Sequence, residues 1–312
     1  MININPAKLL YSKRGNVIDE EYFGFIFLYD NFSLLKKIGQ DNGAKFYLRS
    51  LSKPVQASIM QDFNVVEKLG LTQEEIAICC GSHSGTNKHI SLVRSILAKA
   101  GLDESFLLCP CATPLDIKDF DGIKKPIYHN CSAKHALMLA ISKLNSWDLK
   151  KYTDVDHPLQ KLIYKRHIEL SGASKAGISY DGCSTPVFAL SMSEIAQMFF
   201  NLFKKCDFIT NAMLNNPYIL GGNDRLDSEI IALGEKKLVA KVGAGGFVLV
   251  YNIVEDKILI VKMSQNNNLP RRIVALNALY ELSWINKNPS PVYLCNDLGK
   301  IVGDYVCNFS FS

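Results

Sequence analysis

The sequence predicts an α+β fold in which an antiparallel sheet, built from N- and C-terminal strands, is flanked by helices and encloses a mainly helical middle region. Three observations carry this. An aromatic and β-branched run covers Val17–Asp30; three β-rich runs, 238–242, 247–254 and Lys257–Met263, follow one another late in the chain; and apolar residues recur at helical spacing through most of 55–235. Strands at both ends with helices between them imply one sheet, drawn from about 14–50 and 237–263. No repeat or low-complexity linker divides the 312 residues, so they read as a single domain.

Along the chain, Asp41-Asn42-Gly43 is a turn signal between the Val17–Asp30 run and a second early strand at 45–48. Residues 55–69 carry spaced apolar positions and stop at Gly70, as a helix with a C-terminal glycine does. Thr72-Gln73-Glu74-Glu75 has the form of a capping box and opens a short helix running into 76–80. The small-residue loop Gly81-Ser82-His83-Ser84-Gly85 follows. Behind it Ile90, Val93, Leu97 and Ala100 lie at helical spacing, closed by Gly101. Cys109-Pro110-Cys111 and residues 114–126 read as loop, after which Asn130-Cys131-Ser132-Ala133-Lys134-His135 introduces an apolar helix at 136–144. Asp156-His157-Pro158 starts another helix, which runs to Leu170 and stops at Ser171-Gly172. A polar turn over 179–186 precedes an amphipathic helix predicted at 187–203. The three late β runs, broken by glycines at 243–246 and by Glu255-Asp256, read as an antiparallel meander, and Leu269-Pro270 leads into a last helix over 273–282.

Composition narrows the function. Hydrophobic residues make up 48% and charged residues 21%, which is ordinary globular usage. The net charge of +5 is scattered as pairs such as Lys36-Lys37 and Arg271-Arg272, without a basic stripe carrying interleaved aromatics, so nucleic acid is not an expected partner. The segment Met1-Ile2-Asn3-Ile4-Asn5-Pro6 lacks the charged and apolar regions of a signal peptide, and no apolar run is long enough to span a bilayer. A cytoplasmic protein without membrane contact is expected, and its nine cysteines then read as reduced thiols.

The chemistry centres on Arg49-Ser50-Leu51-Ser52-Lys53-Pro54. In an SxxK arrangement the serine and lysine share one face of a helical turn, so the amine can reach the hydroxyl. Burial or a nearby cation disfavours the ammonium and turns the lysine into a base, which makes the serine a nucleophile. Pro54 disfavours the α region for Lys53, so a distorted or 3₁₀ turn is expected. The Gly81–Gly85 loop can supply hydroxyls and amide donors to a ligand, or be only a turn. Cys131, Lys134 and Cys183 offer two thiolates and a nitrogen donor, which suits zinc, although a lysine ligand must first lose its proton. The alternative is that both cysteines are buried hydrophobes. Lys241-Val242-Gly243 at a strand end, after an earlier SxxK, is the order found in penicillin-binding proteins and serine β-lactamases.

Together these segments resemble the L-asparaginase II family, the Rhizobium-type or class 3 asparaginases, which are serine β-lactamase-like and glutaminase-like in fold. The resemblance runs from about Arg14-Gly15 to Lys262. It rests on Arg49-Ser50-Leu51-Ser52-Lys53-Pro54-Val55-Gln56-Ala57, on Ser82-His83-Ser84-Gly85 with His89, on Asn130-Cys131-Ser132-Ala133-Lys134-His135, on Asp154-Val155-Asp156-His157-Pro158-Leu159-Gln160, on Asp181-Gly182-Cys183-Ser184-Thr185-Pro186 and on Lys241-Val242-Gly243-Ala244. It implies two Ser-Lys tandems, Ser50 with Lys53 and Ser82 with Lys241, and a Zn²⁺ site of Cys131, Lys134 and Cys183. Arg49, His83, His135 and Asp181 are the candidate substrate contacts. Arg49 can clamp an α-carboxylate and Asp181 can accept from an α-ammonium, which suits a free amino acid. The sequence departs from the family in having Thr86 where a glutamate usually follows the His-Ser-Gly loop, and Gly245 where the family's GAEG has its acid.

The implied activity is hydrolysis of the side-chain amide of L-asparagine to L-aspartate and ammonia through an acyl-enzyme, in a homodimer. Either serine can be the nucleophile on this reading. The alternatives are a glutaminase or other serine amidase, a penicillin-type acyl transferase, which the missing export signal disfavours, and a non-catalytic homologue that binds an amino acid or zinc.

Overall fold

The computed structural model describes residues 3–118 and 120–311, so Met1 and Ile2 of the N-terminal segment lie outside the described residues. Its strands are β1 (Ala7–Arg14), β2 (Val17–Asp30), β3 (Ser33–Ile38), β4 (Phe46–Tyr47), β5 (Gly177–Tyr180), β6 (Pro186–Leu190), β7 (Leu238–Gly243), β8 (Phe247–Asn252), β9 (Lys257–Met263), β10 (Tyr293–Cys295) and β11 (Ile301–Cys307). The main sheet is antiparallel, in the order β10-β11-β1-β2-β9-β8-β7, with β3 also on β2. N- and C-terminal strands therefore interleave, and the α+β architecture is the one the sequence predicts. Strand β2 is long enough to serve several neighbours: Val17 to Gly24 pair with β1, and Gly24 to Asp30 pair with β9. At the junction a Cβ on Gly24 would lie 2.6 Å from Lys262 O, so only glycine admits β9 there.

The sheet extends beyond the predicted segments. It begins at Ala7 and takes in β10 and β11 near the C-terminus, short strands whose exposed and half-buried positions show little apolar alternation. The early strand expected at 45–48 does form, as β4, but it joins a separate sheet in the order β4-β6-β5. The helix expected over 187–203 divides. Pro186–Leu190 is a strand buried at every position, and the helix starts at Met192. Ser191 fixes that start with a capping box, its hydroxyl accepting from Glu194 N while the Glu194 carboxylate accepts from Ser191 N. A short, wholly apolar run carries no period by which strand and helix can be told apart. Residues 55–69 also divide, into Lys53–Ala57, a 3₁₀ stretch Ser58–Phe63 and Val65–Leu69, with Asn64 left-handed between them at φ +51°.

Strands β7 and β8 are buried at every position, so both faces of the sheet are covered. Helix Asn268–Glu281 packs on β1, β8, β9 and β11, while Met192–Lys205, Asp207–Asn215 and Leu226–Leu233 pack against β7 or β9. Among the helices of the middle region, the short Lys53–Ala57 helix is surrounded by Gln73–Cys80, Ser132–Leu144 and Pro158–Ser171. Pro54 is accommodated in its first turn, where a missing N–H costs nothing, and Lys53 is helical at φ −59°, ψ −43°. Lys53 thus stays in the α region against the expectation from Pro54, and the residues before it, Arg49–Ser52, form a 3₁₀ turn. This turn rests on β7, whose Gly243 would place a Cβ 3.0 Å from Leu48 O. The fold thus presses the Ser50-Lys53 segment between the sheet and the helical core.

Candidate active site

Lys53 is buried, with 1% of its surface exposed. Its Nζ lies 2.7 Å from Gly81 O, 2.9 Å from Asn130 O and 2.9 Å from Ser82 Oγ. The two carbonyls can only accept, so each takes an N–H from the amine, whereas the hydroxyl in the third direction can accept or donate. A neutral amine has two N–H bonds and one lone pair. The same geometry therefore serves an unprotonated Lys53 into which Ser82 donates its O–H. Burial lowers the Lys53 pKa to about 8; Cys131 pulls it upward, and Lys241 and Lys134 push it further down.

This changes the expected pairing. Ser50 and Lys53 are joined through the backbone, Lys53 N–H donating to Ser50 O, but the Lys53 amine reaches away to the buried Gly81 carbonyl and Ser82 hydroxyl on one side and the part-buried Asn130 carbonyl on the other. Ser82 is buried, whereas Ser50 is half-buried. Lys241, expected beside Ser82, donates instead to Asp227 Oδ2 at 2.7 Å and to Val242 O at 3.0 Å. Both members of this ion pair are fully buried. Burial opposes ionisation of Asp227, but Lys241 and Arg225 more than offset it and hold the carboxyl below its usual range. Asp227 is the functional residue that sequence reasoning missed. The only available signal was an acid, one of two in the helix Leu226–Leu233 with Glu229, on an element that packs on β7.

Arg49 and Asp181, each expected to contact substrate, form an ion pair with each other. Arg49 Nε donates to Asp181 Oδ1, which also accepts from Gly182 N at 2.8 Å. Arg49 is left-handed at φ +51°, a conformation that costs a non-glycine residue on the order of 1–3 kcal/mol and that gathers at functional sites. It lines a cavity of about 360 Å³ together with Phe46, Tyr47 and Tyr180. His83 and His135, expected to contact substrate, are fully buried. Ser132 Oγ donates to Ile127 O and so accepts from His83 Nε2 at 2.9 Å, while His83 Nδ1 accepts from Gly85 N. Both ring nitrogens of His83 thus hold the loop that carries Ser82. Thr86, standing where the family has an acid, caps helix Asn87–Lys99 in a reciprocal box with His89.

Cys131, Lys134 and Cys183 converge. Contact with Cys131 lowers the pKa of the Cys183 thiol and contact with Cys183 raises that of Cys131, so the two thiols titrate as a coupled pair. Burial opposes the charge on Lys134, but the two thiols overcome it and raise its pKa. Its Nζ donates to Thr185 Oγ1 at 2.7 Å. His135 Nδ1 accepts from the Tyr152 hydroxyl, which itself accepts from Leu108 N, and His135 Nε2 is buried without a hydrogen-bond partner. Among the described residues no group of three or more His, Cys, Asp and Glu is placed to hold a metal ion. A metal here needs the Lys134 amine as its third donor. Two thiols and an amine nevertheless suit a borderline-soft cation such as Zn²⁺, whereas His135 Nε2 carries the imidazole proton when Nδ1 accepts from Tyr152 and is not a further ligand.

Fold and site define an α+β hydrolase scaffold built around a buried lysine–serine pair. The chain belongs to the L-asparaginase II family, whose model matches residues 10–297. No curated protein matches it. Among solved structures it is similar to a β-lactamase from Mycobacterium bovis, at 13% identity over 83% of this chain and 94% of the other, with a TM-score of 0.46. It is also similar to a proposed β-lactamase from Bacteroides dorei DSM 17855, at 13% identity over 84% of this chain and 92% of the other, TM-score 0.47. A third is a proposed 6-aminohexanoate-dimer hydrolase from Bacillus anthracis, at 11% identity over 92% of each chain, TM-score 0.41. No helix among the described residues is long and apolar enough to cross a membrane.

The Asp227–Lys241 pair gives a stability test. Asp227→Ala leaves Lys241 buried without a counter-charge and is expected to destabilise the protein by about 3–5 kcal/mol, read from urea unfolding. A change within about 0.5 kcal/mol, the range of an ordinary surface substitution, would show that the amine finds solvent or another partner.

Proposed function

We propose that this protein is an L-asparaginase, hydrolysing the side-chain amide of L-asparagine to L-aspartate and ammonia. The observation that supports it above others is the Lys53 amine held by two carbonyls with a serine hydroxyl as its third neighbour. Lys53 takes a proton from Ser82, and Ser82 in turn takes one from Ser50, the less buried hydroxyl, as substrate brings the two serines together. Ser50 Oγ attacks the amide carbon, forming a C–O bond. The tetrahedral intermediate then expels the nitrogen as ammonia, with the proton returned from Lys53 through Ser82. Water cleaves the resulting β-aspartyl ester by the same relay. Arg49 takes the α-carboxylate and Asp181 the α-ammonium, which fixes the amide relative to Ser50. Lys241, tied to Asp227, adds to burial in lowering the Lys53 pKa and does not act as a second base.

Cys131, Lys134 and Cys183 are the residues that would hold Zn²⁺. Bound there, the ion supplies positive charge that deprotonates the thiols and the amine and fixes the loops carrying Asn130 and Asp181. No proton in the scheme passes through it, because Lys53 and the two serines suffice.

Three measurements test this reading. Because Lys53 must be unprotonated to accept a proton, kcat/KM for ammonia release should fall about tenfold per pH unit on the acid side, bending near pH 8; a profile flat from pH 6 to 8 would remove Lys53 as the base. Acid quench during turnover should trap an aspartyl ester on Ser50, and Ser50→Ala should lower kcat by about 10³-fold or more. An ester on Ser82 instead would make that serine the nucleophile. Elemental analysis should find zinc in the wild type and lose it in Cys131→Ser and Cys183→Ser; a zinc-free wild type, equal to both variants, would leave the thiols as buried hydrophobes.

A further inference from the structure

Lys262 is half-buried on β9, opposite Phe25 of β2 and Phe247 of β8, and the reaction described above does not use it. Its Nζ lies 5.7 Å from the centre of the Phe46 ring and 5.4 Å from that of Phe247, and its hydrogen bond goes to Met263 O at 2.7 Å. No carboxylate among the described residues pairs with it: burial alone acts on the amine and lowers its pKa to about 8. Lys262 lines the same cavity of about 360 Å³ as Arg49, Tyr47 and Tyr180. Gly245 also lines it, in the turn between β7 and β8, and a Cβ there would meet nothing within 4 Å. At this position, where the family has an acid, the turn offers Lys262 no side chain.

Charge arithmetic then gives the ligand. Arg49 and Asp181 form one positive and one negative group, which complement the carboxylate and ammonium of an α-amino acid and leave Lys262 as an unmatched cation. We propose that Lys262 binds a second carboxylate, carried by the amine side of the scissile amide, so that the preferred substrate is a β-aspartyl dipeptide with a free C-terminal carboxylate rather than asparagine itself. The second carboxylate belongs on the amine side because Arg49 already takes the one on the aspartyl side. The aromatic rings of Phe46, Tyr47 and Tyr180 give the same cavity an apolar wall for the amine residue's backbone and side chain. The chemistry is that of the asparagine reaction with a different leaving group. Ser50 Oγ bonds to the β-carbonyl carbon, the C–N bond breaks, the amine of the second amino acid leaves with the proton from the relay, and water releases aspartate.

This inference rests on the asparaginase reading for its chemistry but not for its recognition, so the test has a catalytic arm and a binding arm. The intact protein is assayed with β-aspartyl-glycine and with asparagine, following glycine and ammonia. kcat/KM is expected to favour the dipeptide about tenfold or more, the size of one charge-assisted hydrogen bond, and Lys262→Met is expected to erase that preference. Lys262→Arg, which retains the charge, should keep most of it. Calorimetry of the same two ligands reads recognition without turnover. If neither ligand is hydrolysed but β-aspartyl-glycine binds about tenfold tighter than asparagine, and Lys262→Met removes that margin, the subsite stands and the hydrolase reading falls. Equal kcat/KM for the two substrates, or a dipeptide preference that survives both Lys262→Met and Lys262→Gln, overturns the proposal. Thermal unfolding of each variant is measured alongside, and Lys262→Gln serves where Lys262→Met does not fold.

Discussion

The site depends on an amine buried without an anion. Lys53 has two carbonyls and a hydroxyl around its Nζ, all neutral, so within hydrogen-bond reach only dipoles compensate a positive charge, with the Cys131 and Cys183 sulfurs farther off favouring it. Desolvation then works against the ammonium, and the neighbouring cations Lys241 and Lys134 add to it. That combination lets a lysine act as a base near neutral pH, and it requires that no aspartate or glutamate approach. The loop Gly81-Ser82 and the segment around Asn130 meet the requirement by offering backbone oxygens, which orient the amine without neutralising it. A carboxylate in place of either carbonyl would fix the same position and abolish the chemistry.

Two other buried lysines show how the same side chain is set to different tasks by its partners. Lys241 has a carboxylate at 2.7 Å, which opposes the lowering of its pKa by burial. Lys134 sits beside the Cys131 and Cys183 thiols, which raise its pKa despite burial. Lys53 has neither a carboxylate nor a thiol at hydrogen-bond distance, and burial drops its pKa to about 8. Lys241 therefore assists Lys53 at a distance, as a like charge, which differs from the second serine–lysine tandem suggested by motif order. The geometry keeps the family's residue types and redistributes their contacts.

Much of this could be read from the sequence because the chemistry sits in short local patterns. The SxxK turn, the small-residue loop at Ser82, the thiols of Cys131 and Cys183 and the Arg49–Asp181 pair all converge in space. The capping box at Thr72 marks a helix start because its hydrogen bonds span only three residues, and the one at Ser191, equally local, lies inside the run read as helix from 187. What escaped were relations with long sequence separation. Asp227 reaches Lys241 across 14 residues, from an apolar helix onto a strand, and the Lys53 amine reaches 28 and 77 residues away to its carbonyls. Strand β6 was mistaken for helix because burial on both faces erases the alternation that marks a strand. Strands β10 and β11 escaped for the opposite reason, since partial exposure leaves little apolar pattern to detect.

The topology explains why such separations are unavoidable. Strand β2 pairs with β9 along Gly24 to Asp30, and β1 pairs with β11, so the sheet cannot close until residues more than two hundred positions apart have met. The turn Arg49–Ser52 rests on β7, the Ser82 loop is held by Leu220 O through Ser82 N, and Asp227 reaches β7 from its own helix. Each half of the chain therefore carries only part of the machinery. An amine as costly to bury as Lys53 gains its carbonyl partners only when the helical core forms around it, and Lys241 gains its carboxylate only when Leu226–Leu233 docks on β7. Assembly of the charges and assembly of the fold are thus one cooperative event, in which the desolvation that makes Lys53 reactive comes from the same packing that stabilises the native state.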